Sequence, residues 1–423
     1  MPFASPSSAF VAAFRPQRAR LFAIAGAAAI ALSGCVTQPA SPVGPNGPVV
    51  TDTGTKPTNA LTQNKPTFLT LPNIPADHTP VRVGIILPFN SGTPAVKALA
   101  AAMLRSAQLA MYDSGNKDMI IMTADEGATP ESAAGAAVKL LDQGAEIIVG
   151  PLYAPSVKAI SHEARDRGVP VLAFSTDRNV AGDGIYLMGF LPEADTNRVV
   201  SYALGHGHHK FAALVPSTAY GDITLTALRA AVTDGKGEMG EVDRFAASLD
   251  GVLGPAGKAA TPGDADALFL PQGGPILRAA GPALGTGGLD KDKVKLLGTG
   301  QWNEAANTAE PSLYGAWFAG PDPKDDAKFA AKYRDAFGAN PPALAALSYD
   351  AVALIGALAA KGEPYKRFTR AALADPNGFS GVDGIFRFSA DGIAERGLAV
   401  LSVGADGFHV VDPAPTTFVK PGS

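Results

Sequence analysis

From residue 81 onward, short runs of β-branched and other apolar residues alternate with Ala- and Leu-rich stretches that have helical spacing. The strands predicted from these runs cover residues 81–87, 119–122, 146–151, 169–174, 211–216, 267–271 and 294–298. The predicted helices cover residues 95–112, 130–143, 156–167, 196–205, 224–232, 325–337 and 344–360. Strands that alternate with helices indicate βαβ units and parallel sheets. The pattern therefore predicts an α/β protein with two doubly wound units in tandem, closed by antiparallel strands near residues 384–388, 398–403 and 407–411.

The first 35 residues have the pattern of an export signal. Three arginines and no acidic residue precede an apolar run over residues 21–32. This run is too short to cross a bilayer core, which needs about 20 residues. The run ends in Leu-Ser-Gly-Cys, which resembles the bacterial lipobox, so Cys35 is the expected lipidation site. A cleaved signal peptide with an incidental cysteine is the alternative. Several acyl chains on Cys35 would anchor the protein firmly. In enterobacterial lipoproteins, an aspartate directly after the lipidated cysteine signals retention in the inner membrane. Val36 follows Cys35 here, so the resemblance favours the outer membrane.

Residues 36–80 are predicted to be a tether between the membrane and a globular body. They contain nine prolines and one aromatic residue, and no apolar period of a helix or strand is visible. Proline-rich chain of this kind is extended and semi-rigid, although a spacer without a selected length is the alternative. Removal of residues 1–34 would change the formal charge from −4 to −7, because only arginines are lost. Acylation, rather than a polybasic surface, would then hold the protein at the membrane.

Composition and motifs exclude several other classes of protein. The chain of 423 residues has one cysteine, which excludes a disulfide scaffold and a thiolate zinc site. Its 35 Lys and Arg against 39 Asp and Glu argue against a nucleic-acid partner. The sequence has no G-x-S-x-G elbow, no H-E-x-x-H zinc motif and no S-x-x-K set with its companion motifs. We therefore expect no enzyme activity, no catalytic or metal-binding residues and no cofactor.

Three polar segments were candidates for chemistry. The histidines within residues 205–210 have a spacing that can bind zinc or copper, but a solvated turn is the favoured interpretation. The adjacent acids at 125–126 and 325–326 would have to face each other in one cleft to hydrolyse glycosides, and neighbours along a chain usually point apart. We expect them to be solvated loop charges. Residues 233–264 are weakly patterned and are expected to form a surface excursion.

Two α/β units with a return helix and a closing β segment resemble the type I periplasmic binding fold, and more closely its Leu/Ile/Val-binding branch. The segments that carry this resemblance are 85–89, 147–153, 169–175 and 219–222. Further segments, together with the lipobox, look like the penicillin-binding protein activator family; they are 298–303, 311–319, 346–352 and 381–388. The enterobacterial members also carry an N-terminal helical repeat domain, for which residues 36–80 are too short and too rich in proline.

The resemblance implies a domain plan and a partner. The plan is a signal peptide at 1–34, lipidated Cys35 and tether at 35–80, an N-terminal lobe of 81–190 plus about 322–380, a C-terminal lobe of 191–321 plus about 381–412, and a tail at 413–423. A multi-strand hinge would join the lobes. The activator family implies a class A penicillin-binding protein as partner, which the chain would activate by contact. The alternative function is a membrane-tethered receptor for an amino acid or related small solute, in transport or sensing.

The amino-acid-binding relatives also imply a set of ligand-binding residues. Ligands of open α/β sheets bind at the carboxyl ends of strands. Positions there that match the relatives are Tyr153, Ser156, Ser175, Thr176 and Asp177 in the first lobe, and Tyr220 and Asp222 in the second. Loop hydroxyls and backbone N–H groups near a helix start suit an anion, so Ser175 and Thr176 are the expected anion holders. A turn capped by residues 175–177 is the alternative. Trp302 is expected to stack on a ligand from the far wall.

Overall fold

The computed structural model describes residues 68–70 and 79–418. The predicted signal peptide, Cys35 and most of the predicted tether lie outside the described residues. The tether prediction is wrong at Phe68–Thr70, which form a strand that pairs antiparallel with residues 120–122. An added edge strand of three residues is too short to show a period of two in the sequence, which is why it was missed.

Three sheets are built from the described residues. The strands, in chain order, are β1 Phe68–Thr70, β2 Val81–Leu87, β3 Met119–Asp125, β4 Ile147–Val149, β5 Val171–Ala173, β6 Ile185–Leu187, β7 Lys210–Pro216, β8 Glu238–Phe245, β9 Ala267–Phe269, β10 Lys295–Gly298, β11 Trp317–Gly320, β12 Phe379–Gly381, β13 Gly384–Phe388, β14 Ala394–Arg396, β15 Ala399–Gly404 and β16 Gly407–Asp412. The helices are α1 Pro94–Ser114, α2 Pro130–Asp142, α3 Ala154–Asp166, α4 Pro192–Gly205, α5 Ala219–Asp234, α6 Leu249–Ala259, α7 Gly274–Thr286, α8 Pro323–Phe337, α9 Ala345–Ala359 and α10 Arg370–Leu373.

Local sequence explains where α1 begins and ends. The Thr93 hydroxyl accepts a hydrogen bond from the backbone N–H of Val96, and Pro94 occupies the first helical turn, where its missing N–H costs nothing. The helix ends at Gly115, whose φ of 60° is the left-handed conformation that glycine adopts without strain. Hydroxyl caps in the same position start α2, α5 and α6.

The first sheet has the strand order β1-β3-β2-β4-β5-β6, and all its pairs except β1 with β3 are parallel. Strands β2, β4, β5 and β6 are almost entirely buried, as parallel strands between helices must be. Val83 and Ile85 of β2 pack with α1 and α9, whereas Ile86 packs with α2 and α3 on the other face. Helix α8 packs outside α1 through Phe329 and Tyr333.

The second sheet has the order β16-β15-β11-β10-β9-β7-β8. Its pairs from β11 to β8 are parallel, and β15 and β16 are antiparallel additions. Residues of α6 and α7 cover one face, and residues of α4 and α5 cover the other. The predicted fold class, two doubly wound α/β lobes of the type I periplasmic binding fold, is confirmed.

The chain passes between the two large sheets three times, after β6, after β11 and after β14. The small antiparallel sheet β12-β13-β14 lies at the last of these connections. Phe386, Phe388 and Ala394 of this sheet belong to the core of the first lobe. The prediction that the chain returns to the second lobe near residue 381 is therefore wrong. The small sheet belongs to the first lobe, and the chain packs in the second lobe again only from about residue 398 onward.

Residues 233–264 are also not the expected surface excursion. They contain β8, the edge strand of the second sheet, and α6, which packs on that sheet. The pattern was weak because β8 buries only its last residue, Phe245, and α6 contains three glycines and an internal proline, Pro255.

Candidate functional site

A cavity of about 380 Å³ lies between the lobes, at the carboxyl ends of the parallel strands. In each large sheet the connections from two adjacent strands leave in opposite directions, those of β2 and β4 in the first sheet and those of β7 and β9 in the second, and ligands bind at such switch points. Three carboxyl side chains line the cavity, those of Asp195, Asp326 and Asp383. Phe190 and Leu344 contribute apolar surface beside them. The cavity therefore combines an apolar wall with several acids, and both lobes contribute to it.

Asp195 lies in the first turn of α4 and is only 5% exposed. Its Oδ2 accepts a hydrogen bond of 3.0 Å from the backbone N–H of Gly300, which follows β10. A side chain at Gly300 would meet this carboxyl, since an added Cβ would lie 2.8 Å from Asp195 Oδ2. Burial raises the pKa of Asp195 to about 7, although the Gly300 N–H and the charge of Arg396 oppose that shift. Asp195 is thus a carboxyl whose charged form is disfavoured by burial.

Tyr220 lines the cavity from the first turn of α5. Its hydroxyl lies 2.8 Å from Oγ1 of Thr299, which is fully buried at the end of β10. Burial and the nearby Asp195 raise the pKa of the Tyr220 phenol, so the group is a neutral hydroxyl at physiological pH. The start of α5 lies close to the end of β7, which requires glycine at position 221. An added Cβ there would lie 1.9 Å from the carbonyl oxygen of Pro216.

Asp383 lies in the turn between β12 and β13 and is 4% exposed. Its Oδ2 has no hydrogen-bond partner among residues 68–70 and 79–418. Burial, together with the negative charges of Asp350 and Asp326, raises the pKa of Asp383 to about 8, and the charge of Arg396 opposes the shift. Burial also raises the pKa of Asp326. Unpaired buried carboxyls of this kind are costly when ionised.

Asp350 and Arg396 form a buried pair behind this wall. Nη1 of Arg396 lies 4.0 Å from Oδ2 of Asp350, and Oδ1 of Asp350 accepts a hydrogen bond of 2.6 Å from the Val382 N–H. Arg396 also donates to the carbonyl of Met188 and lies over the ring of Phe190, 4.6 Å from its centroid. Burial raises the pKa of Asp350 to about 6, against the opposing charge of Arg396. Arg396 thus joins the chain connection after β6 to the small sheet.

Glu126 occupies the amino end of α3. It follows β3, has no exposed surface, and accepts hydrogen bonds from the backbone N–H groups of Leu152 (2.9 Å) and Tyr153 (3.1 Å). The Ser156 hydroxyl also bonds to it. Burial raises the pKa of Glu126, and these hydrogen bonds limit the rise. The expectation that acids 125–126 are solvated loop charges is therefore wrong for Glu126. Its carboxylate caps the amino end of α3, where the N-cap residue Tyr153 provides no side-chain hydrogen bond.

Two of the ligand-binding residues predicted from the sequence, Thr176 and Tyr220, line the cavity. Four other first-lobe candidates make contacts within the loops instead. Tyr153 is 42% exposed at the start of α3, and Ser156 bonds to Glu126. Ser175 is buried and accepts a hydrogen bond from the Asp177 N–H, while Asp177 accepts one from the Asn179 N–H. This arrangement corresponds to the capped turn that was the alternative interpretation of residues 175–177.

The two remaining candidates lie away from the cavity. Asp222 pairs with Arg244 at 2.7 Å on the exposed side of α5. Trp302 is fully buried in the second-lobe core, and its indole N–H donates to the Leu270 carbonyl. The prediction that Trp302 stacks on a ligand is wrong in this geometry, because the indole has no exposed face.

Asp195, Asp326 and Asp383 were not predicted as ligand-binding residues. They are far apart in sequence, and each belongs to a different element: the start of α4, the first turn of α8 and the β12–β13 turn. The acid pair 325–326 was interpreted as surface charge, although Asp326 lines the cavity. Asp383 is the only acid in the stretch 379–388, which is rich in glycine and phenylalanine, and this was the available signal for it.

The histidine segment 205–210 is only partly the solvated turn that was expected. His208 packs against Trp317 and bonds to the Asp266 carbonyl, and burial lowers its pKa. Among the described residues, no group of three or more His, Cys, Asp or Glu side chains is arranged to hold a metal ion. Within that same part of the chain, no helix is both long and apolar enough to span a membrane.

Similarity to known proteins agrees with this fold. A family profile described as periplasmic binding protein matches residues 80–407, most of the chain. The chain belongs to the periplasmic binding protein family. Membership in this family is consistent with a periplasmic or envelope location. Among curated proteins, an uncharacterised protein of Rickettsia prowazekii (strain Madrid E) is 27% identical over 104 residues, which are 25% of this chain and 28% of that protein.

Several solved structures that are similar to this periplasmic binding protein share its fold. An ABC transporter substrate-binding protein from Sphaerobacter thermophilus has a TM-score of 0.66 and 19% identity, over 80% of this chain and 98% of that one. A solute-binding protein from Rhodopseudomonas palustris BisB5, in complex with 3,4-dihydroxybenzoic acid, has a TM-score of 0.60 and 20% identity, over 82% and 99%. A branched-chain amino acid substrate-binding protein from Streptococcus pneumoniae, in complex with isoleucine, has a TM-score of 0.57 and 21% identity, over 79% and 100%.

Proposed function

We propose that the protein is an envelope solute receptor, lipid-anchored through Cys35, whose two lobes close on a small organic ligand for transport or sensing. The observation that carries this proposal is the cavity between the lobes, which contains side chains of both, among them Asp195 and Asp383. Apolar surface with a few polar groups, in a volume of about 380 Å³, is typical of small-molecule sites. Three short connections between the lobes are suited to hinge closure.

Binding is the function that this site supports best. Closure needs a ligand that contacts both lobes better in the closed state than in the open one. Asp195 and Tyr220 belong to elements of the second lobe, and Asp326 belongs to α8, which packs on the first. Related proteins of the same fold bind carboxylic acids and amino acids, which supports a small organic solute here. No enzymatic step is part of this proposal.

Activation of a class A penicillin-binding protein is the second candidate. The lipobox at Cys35 and the sequence segments that resemble the activator family, such as 298–303 and 381–388, favour it. The similar solved structures favour the receptor, because those named are ABC-transport solute-binding proteins. An activator would act through contact with the synthase, with outer-membrane anchoring through the acyl chains.

A ligand screen and a synthase assay separate the two functions. The full chain, purified in detergent, is screened by thermal unfolding against amino acids, organic acids and amines. We expect a rise in Tm with at least one solute and no change in the glycan polymerisation rate of a class A synthase. Failure of every solute, together with faster polymerisation, would overturn the receptor proposal in favour of the activator.

A further inference from the structure

Two sets of backbone N–H groups near the carboxyl ends of the strands already bond to the protein's own acids. A helix amino terminus is a natural anion site, yet the N–H groups at the start of α3 bond to Glu126. The N–H of Gly300, at the end of β10, bonds to Asp195 in the same way. An incoming carboxylate could use these backbone donors only by displacing a buried side chain, and would otherwise meet only uncharged side-chain donors such as Gln301 and Asn303.

Hydrogen-bond acceptors, by contrast, remain unused. Oδ2 of Asp383, in a residue that is 96% buried, has no hydrogen-bond partner within the described part of the chain, and its residue lines the cavity. Asp326 lines the same wall. Among the described residues that line this cavity, none is a lysine, arginine or histidine. Arg396, which lies behind the wall, has Asp350 as its near carboxylate.

The charges around the cavity are therefore unbalanced. Asp195, Asp326, Asp350 and Asp383 are opposed by the single guanidinium of Arg396 in this group of side chains. Taking unpaired carboxylates out of water costs several kcal/mol each unless an opposite charge or a proton compensates. A cation in the cavity would supply that compensation for the acids of both lobes.

We propose that the cavity binds an organic cation, a ligand with a protonated amine or guanidinium group on a small apolar body and without a carboxylate. This rests on the receptor function proposed above and names its substrate class. The cationic group donates to Asp383 and Asp326 from the first lobe and reaches the free carboxyl oxygen of Asp195 in the second. The apolar body lies against Phe190 and Leu344. Contact with acids on both sides makes closure favourable.

Matched probes test the charge directly. The full chain in detergent is titrated by calorimetry at about pH 9, above the pKa of about 8 to which burial raises Asp383. One set is 2-phenylethylamine, 2-phenylethanol and 3-phenylpropionate, which share an aromatic body and differ in charge. A second set is putrescine, 1,4-butanediol and succinate. We expect the amine of at least one set to bind about tenfold more tightly than its alcohol, and the carboxylate not to bind.

Variants link that preference to the cavity. Asp383→Asn and Asp326→Asn should each weaken amine binding about tenfold, because each removes a negative charge without changing the side-chain shape. Asp325→Asn is the matched control, since Asp325 precedes Asp326 on α8, pairs with Lys328 and does not line the cavity. Its affinity for the amine should equal that of the unaltered protein.

Each other outcome overturns a distinct claim. Tighter binding of an alcohol or carboxylate, unaffected by Asp383→Asn, would overturn the cation proposal and leave the receptor function standing. Binding of Ca²⁺ or Mg²⁺ that depends on Asp383, without amine binding, would overturn the organic cation as ligand. No binding by these probes or by any solute of the wider screen would overturn both the cation proposal and the receptor function.

Discussion

Oδ2 of Asp195 accepts a 3.0 Å hydrogen bond from the backbone N–H of Gly300. The bond connects the first turn of α4 to the loop after β10, at the floor of the cavity. It satisfies one carboxyl oxygen inside a cleft where burial already disfavours the charge. Asp383 is also buried at this cavity, but its Oδ2 has no such partner in the described chain, so the two acids should respond differently to substitution.

The first prediction concerns Asp383 and pH. Burial and two acidic neighbours raise its pKa to about 8, well above the value of about 3.9 in an unfolded chain. Between these values the folded state holds a proton that the unfolded state has released. Its contribution to stability is therefore complete below about pH 4 and is lost as the pH rises through about 8. The apoprotein should be less stable near pH 9 than near pH 6 through this group.

Asp383→Asn should remove that dependence, because the amide stays neutral. At about pH 9 we expect the free energy of unfolding to rise by about 1–3 kcal/mol, and at about pH 5 to change little. The groups that face Asp383 are Asp350, Asp326 and Arg396, and the variant leaves them in place. Urea unfolding at both pH values measures the effect, with exposed Asp335→Asn as control. An equal change at both pH values would contradict the prediction.

The second prediction concerns Glu126 as an internal anion. Glu126→Ala leaves the N–H groups of Leu152 and Tyr153 without their acceptor, which should cost about 1–3 kcal/mol of stability. Acetate or formate should bind in the vacated position and restore part of the loss in Tm, since a ligand that binds only the folded state stabilises it. Thermal unfolding with increasing acetate is the measurement.

The unaltered protein and the exposed variant Glu363→Ala are the controls for acetate rescue, and neither should gain Tm specifically. Equal stabilisation of all three proteins by acetate would indicate a general salt effect and contradict the role of Glu126. A Glu126→Ala protein as stable as the parent would do the same.

A third prediction separates core packing from ligand stacking at Trp302. Trp302→Phe loses the hydrogen bond to the Leu270 carbonyl and part of the packing around it, at a cost of about 1–3 kcal/mol. Because the indole is fully buried, affinity for 2-phenylethylamine should stay within about twofold. Chemical denaturation and calorimetry on the same variant give both values. Weaker binding with unchanged stability would instead support a ligand-facing Trp302.

Periodicity predicted the elements whose apolar residues form a clear local pattern. The strand over residues 81–87 and the helix that ends at residue 337 are confirmed at those positions, because continuous apolar runs and helical spacing are local signals. β8 and α7 were missed for opposite reasons. β8 is an exposed edge strand with little apolar pattern, whereas α7 contains three glycines and two prolines, a composition typical of a loop.

The site was less predictable than the fold, because its acids meet only through topology. Loop residues after strands could be located from the sequence, which gave Thr176 and Tyr220. In sequence, Asp195 and Asp383 are separated by five strands of the second sheet, β7 to β11, and by α8 and α9, so no local pattern shows that the two acids meet. That Glu126 would cap α3 also required the register of two neighbouring loops, which no spacing in the sequence reveals.

The last prediction compares two tyrosines that the sequence placed in the ligand site. Tyr220 lines the cavity and its hydroxyl lies 2.8 Å from Thr299 Oγ1, whereas Tyr153 is 42% exposed at the start of α3 and does not line the cavity. Removing the Tyr220 hydroxyl leaves the buried Thr299 hydroxyl without this partner and takes one polar group from the cavity wall. Tyr220→Phe should therefore weaken 2-phenylethylamine binding about three- to tenfold, or about 1 kcal/mol. Tyr153→Phe should bind like the parent protein in the same calorimetric titration. Weaker binding by Tyr153→Phe than by Tyr220→Phe would instead place the ligand at the amino end of α3.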